Sequence, residues 1–116
     1  MKTILLKIIF ICLCIIIPCS SFAQEAEEDI GGQIFKKRCA GCHGKDGKVQ
    51  AYGISRKLVE ISSAEMNDRL ILFNSDKNLQ NSGGVSAVMS KQTSNLNQQE
   101  FNSVLLYVQQ NFAADK

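Results

Sequence analysis

The segment Cys39-Ala40-Gly41-Cys42-His43 confines two thiols and the chain's single histidine to five consecutive positions. Three chemistries use such a spacing: a zinc half-site, a redox dithiol and a covalent haem attachment point. Each demands a different surrounding chain, so this segment restricts the fold before any helix or strand is assigned.

At 116 residues and without internal repeats, the chain has room for one small domain. Its beginning stands apart from that domain. Lys2 and Lys7 lead into an unbroken apolar run from Ile8 to Ile17, followed by Pro18 and the pattern Ser21-Phe22-Ala23. This is the layout of a secretory signal, with cleavage expected between Ala23 and Gln24. The apolar run is about half of the roughly 20 residues that span a bilayer, so residues 1–23 are expected to be removed rather than to remain as an anchor. Pro18 stands where a lipoprotein signal wants a small residue, which argues against acylation of Cys19. The expected product is a periplasmic domain, 24–116, with no stable membrane insertion.

Removing the signal takes Cys12, Cys14 and Cys19 with it, so five cysteines become two, Cys39 and Cys42. Lys2 and Lys7 also leave, and the 13 basic residues fall to 11 against 11 acidic ones. A neutral domain has no general affinity for nucleic acid. Charge is nevertheless uneven. Glu25, Glu27, Glu28 and Asp29 open the domain, whereas Lys36, Lys37, Arg38, Lys45, Lys48, Arg56 and Lys57 crowd around the two cysteines. Such a cluster can steer an acidic partner toward that site.

Three segments carry a helical period. The first starts near Glu27, sets Ile30, Ile34 and Phe35 at helical spacing and runs into Cys39, with Gly31 on the face of Phe35. The second opens on Ser62-Ser63-Ala64-Glu65, a capping-box arrangement, and aligns Met66, Leu70 and Phe73. The third is capped by Asn97-Gln98-Gln99-Glu100 and carries Phe101, Val104, Leu105, Val108 and Phe112. No segment alternates as a strand does. Residues 41–61 and 74–96 read as loops rich in Gly, Ser, Asn and Lys. Three short helices and long loops bury too little for a core of their own, so a large apolar cofactor is expected in the middle.

These features separate the three chemistries. Structural zinc needs four ligands, and the domain offers only Cys39, Cys42 and His43 as its usual ones. A thioredoxin-like dithiol needs a βαβ frame, for which there is no strand pattern. Haem attachment uses every residue: the two thiols add to the porphyrin vinyl groups, and His43 follows as proximal iron ligand. With no second histidine, a thioether is the natural distal ligand. Met1 leaves with the signal, and Met66 lies on an apolar helical stripe, where methionine is usually core. Met89 is the expected ligand, carried by a loop after the Gly83-Gly84 pair.

The segment GGQIFKKRCAGCHGKDGK, the methionine segment and the ending LNQQEFNSVLLYVQQ together resemble the class I c-type cytochromes, in particular small exported single-haem carriers of bacteria. The resemblance implies an all-α cytochrome c fold, three main helices and long loops around one covalent haem c. It also implies that Gly31 and Phe35 on the first helix cross Val104 and Tyr107 on the last. The chain departs from many relatives in having no proline after Pro18 and no tryptophan. A carbonyl in the 51–54 turn is therefore expected to orient His43, and Tyr52, Arg56 or Lys57 to meet a haem propionate.

The function implied is single-electron transfer, not catalysis. With Cys39, Cys42, His43 and Met89 holding the haem, no iron position is open to substrate. The implied protein is a monomer that meets redox partners, such as a terminal oxidase, a peroxidase or a quinol-oxidising complex. The alternatives are a five-coordinate haem sensor or enzyme, and an electron-transfer subunit of a larger oxidoreductase.

Overall fold

The computed structural model describes residues 30–116; the expected signal segment 1–23, its expected cleavage point and the acidic stretch 25–29 lie outside them. Helices dominate and no strand occurs among the described residues. We number the helices α1 (30–43), α2 (Ser63–Ser75), α3 (Gly84–Thr93) and α4 (Gln98–Phe112). Short 3-10 turns at Ala51–Gly53, Leu58–Glu60 and Leu79–Asn81 punctuate the connections. No described helix is long and apolar enough to cross a membrane.

Helix α1 is not uniform. A π-helical turn, Phe35–Cys39, interrupts it, and the Ala40 N–H donates to the Phe35 carbonyl five residues back. On an unbroken α-helix, positions 35 and 43 would diverge by about 80°. The extra residue absorbed by the π-turn reduces that to roughly 20°, so buried Phe35 and buried His43 share one stripe. The helix stops at Gly44, whose φ of 78° belongs to the left-handed half of the map that glycine occupies without penalty.

Helix α2 is capped on one side only. The Ser62 side chain accepts from the Glu65 N–H at 3.3 Å. The Glu65 carboxylate does not complete the box, because Arg56 holds both of its oxygens at 2.7 and 2.8 Å and Arg69 Nε adds a bond of 2.8 Å. These guanidinium bonds keep the carboxyl below its ordinary titration range. Helix α4 has the full box: Glu100 N–H donates to Asn97 Oδ1, and Asn97 N–H to Glu100 Oε2, both at 2.9 Å.

The 74–96 segment differs from the expected loop. It contains α3, which opens on Gly84 after Gly83, at φ of 72° and 77°. The glycine pair sits at the helix start rather than inside a flexible stretch, and four helices result where the period showed three.

Helices α1 and α4 cross at Gly31. A Cβ there would overlap the Ser103 carbonyl oxygen and come within 2.7 Å of Ser103 C and 2.8 Å of Tyr107 Cβ. Phe35 then stacks between Tyr107 and Phe112, with ring centroids 5.6 and 4.7 Å away. Ile61, Met66, Val104, Val108 and Ala113 complete this cluster. The C-terminal tail locks the start of α2: Asp115 accepts from the Ser63 N–H at 2.7 Å and its hydroxyl at 2.9 Å, and Ala114 N–H donates to Ile61 O at 2.9 Å.

Candidate cofactor site

Between α1, α3 and the core cluster lies a cleft of about 890 Å³, counted out to its mouth. Helix α1 lines it with Ile34, Cys39, Cys42 and His43, and the floor is made by Met66, Leu70, Val104 and Val108. Val85, Val88, Met89 and Gln92 close the other side from α3. Their i, i+3, i+4, i+7 spacing turns one face of α3 to the cleft. The same spacing is readable in the sequence, where the neighbouring glycines and serines obscured it.

All four expected site residues therefore line one cleft, and His43 contacts Met89. Met89 reaches it from a helix, not from the loop expected. Met66 also lines the cleft, yet it is 2% exposed and belongs to the core cluster.

The histidine is buried, and neither its Nδ1 nor its Nε2 has a hydrogen-bond partner. Burial lowers its pKa below the ordinary 6.5, so the ring is neutral near pH 7 and keeps a lone pair. The carbonyl expected from the 51–54 turn is not on Nδ1. Instead the Ala51 carbonyl accepts from the Ile54 and Ser55 N–H groups at 3.3 and 3.2 Å, one 3-10 bond and one spanning four residues, which close its own turn. Orphaned buried nitrogens are rare in folded proteins, and a ligand that accepts the lone pair explains one of them.

Cys39 is half-buried, Cys42 exposed, and the two are not bonded to each other. Burial pushes the Cys39 thiol up to about 11, with Arg38 partly opposing the shift. Reactive dithiols have the reverse property, a thiolate stabilised near neutral pH. The Cys39 thiol lacks that property.

Two of the three side chains expected to meet a propionate are otherwise engaged. Arg56 holds Glu65 and the Glu60 carbonyl, and Lys57 pairs with Glu60 at 3.2 Å. Tyr52 remains at the mouth, 64% exposed, with φ of 55°, the only positive value outside glycine among the described residues. Lys36, Lys37 and Lys45 are exposed and make no ion pair among the described residues, while Lys48 approaches Asp46 at 3.8 Å. Gln92, Val85 and Val88 join the cleft wall from a segment whose composition is that of a loop.

The donors present fit a haem: two thiols at the cleft, one buried unpartnered imidazole, one thioether in contact with it, and apolar walls. Among curated proteins and among solved structures, no match to the chain is found. The family model for Cytochrome c matches residues 29–112, well over half of the chain, and the chain belongs to that family.

Proposed function

We propose that the protein is an exported carrier of single electrons, in which Cys39 and Cys42 would hold haem c through thioethers and His43 and Met89 would be the protein's ligands to its iron. The observation that carries this reading is the buried, unpartnered His43 ring in contact with Met89 inside an apolar cleft. When bound, haem supplies a one-electron ferrous/ferric couple, and a His/Met pair raises its potential. The chain's own work is positioning and exclusion. Neutral His43 would offer its lone pair to the iron, Met89 would leave no ligand site for substrate, and Val85, Val88, Leu70 and Val104 would keep water from the cleft. Residues 1–23 serve as the signal and are removed, leaving 24–116 as a monomeric domain.

Lys36, Lys37 and Lys45 steer acidic redox proteins toward the cysteine side of the cleft. The contact is small, below about 1,200 Å² of buried surface, since turnover requires release. Terminal oxidases, peroxidases and quinol-oxidising complexes are the partner classes that fit.

The test is an absorption spectrum of the exported protein, oxidised and reduced, with and without carbon monoxide. A low-spin spectrum in both states, a weak red charge-transfer band in the ferric form and no carbon monoxide binding at neutral pH are expected. Ready binding of carbon monoxide by the reduced wild type would show an accessible iron and replace the carrier with a sensor or enzyme.

A further inference from the structure

Helix α3 is held asymmetrically. Its first residue and the one before it are glycines at positive φ, and a Cβ at either would meet nothing within 4 Å. Its far end is strapped. Asn74 Nδ2 on α2 donates to the Thr93 carbonyl at 2.8 Å, and the buried Ser90 hydroxyl donates to the Phe73 carbonyl at 2.8 Å. Arg38 Nη1 on α1 donates to the Gln92 carbonyl at 3.3 Å. The Gln92 and Thr93 carbonyls are among the last four of α3, which a helix cannot satisfy internally. A cation there also meets the negative end of the helix dipole.

Of these bonds only the Arg38 one crosses the cleft. Arg38 and Gln92 both line it, and the bond ties the helix bearing Cys39 to the helix bearing Met89. Arg38 immediately precedes Cys39, and Gln92 lies one turn beyond Met89, on the same face. Asn74 and Ser90 anchor α3 to the α2 side and do not line the cleft.

We infer that Arg38 is a positioning residue for the distal ligand: its guanidinium clamps the end of α3 and thereby holds the Met89 sulfur at the haem site against displacement. The inference rests on the His43/Met89 reading. A ligand competing with Met89 binds in proportion to the fraction of molecules in which the sulfur is displaced. Loosening the clamp raises that fraction and tightens the competitor's apparent affinity.

The experiment uses ferric holoprotein and imidazole as the competing ligand, followed by loss of the red charge-transfer band. Arg38→Gln is expected to bind imidazole about tenfold more tightly than wild type, equivalent to about 1.4 kcal/mol, as befits one bond from a charged donor. Arg38→Met keeps the apolar stem and removes the donors, so it is expected to show the same shift and serves as the second variant. Arg38→Lys, which can still donate to a carbonyl, is expected to recover most of the wild-type resistance. Lys37→Gln removes the same charge one position away without touching α3 and is expected to leave imidazole affinity within twofold. Unchanged affinity in both Arg38→Gln and Arg38→Met overturns the inference, as does an equal shift in Lys37→Gln, which would make the effect one of net charge. A wild type lacking the sulfur band sinks the Met89 assignment itself and the clamp with it, whereas a wild type with the band and inert Arg38 variants sinks the clamp alone.

Discussion

At the scale of single residues, two thioethers compete for one role, and their surroundings separate them. Met66 projects from α2 into the cluster of Phe35, Val104, Val108 and Phe112 and is 2% exposed. Met89 is half-buried and touches His43. Met66→Ala is expected to lower stability by about 2–5 kcal/mol, the usual cost of a cavity in a packed core, while the red charge-transfer band persists. Denaturant unfolding read beside that band measures both effects; loss of the band with little change in stability would transfer the ligand role to Met66.

At the scale of elements, the crossing of α1 and α4 leaves no room for a side chain at Gly31. The Gly31 hydrogen occupies space next to the Ser103 backbone, so an added methyl cannot be cleared by changing a rotamer. Gly31→Ala is expected to cost about 1–3 kcal/mol, as overpacked sites do, and to lower the melting temperature. At Gly32 the nearest atom to an added Cβ is Tyr107 Cε2 at 3.1 Å, part of a half-buried side chain that can shift. Gly32→Ala is the milder change, and thermal melts of the two variants compare them directly.

At the scale of the whole molecule, the core is split by the cleft. Leu70, Val85, Val88 and Leu96 present apolar surface to a space that the chain itself does not fill. Burial of such surface is worth about 25 cal/mol per Å², and a domain of this size has little to spare. Cys39→Ser combined with Cys42→Ser is therefore expected to leave chains without a cooperative thermal transition, since without the porphyrin the apolar walls of the cleft stay in contact with water. Circular dichroism of the cofactor-free double variant measures this; a sharp unfolding transition would show that the helices carry the fold alone.

What the sequence determined by itself is what depends on near neighbours along the chain. Cys39, Cys42 and His43 are set by a five-residue spacing, and the caps at Ser62 and Asn97 by bonds spanning three residues. The Gly31 crossing was legible through family resemblance, because only glycine fits where two helix backbones meet. Tertiary structure decided the pairings between distant groups. Arg56 was a reasonable partner for a propionate until folding brought Glu65 to it. Arg38 meets Gln92 across 54 positions, and no local pattern selects that carbonyl among so many. The physical reason is common to both. A donor has many chemically equivalent acceptors in a chain of this length, and only the packing of α1, α2 and α3 determines which one lies within reach.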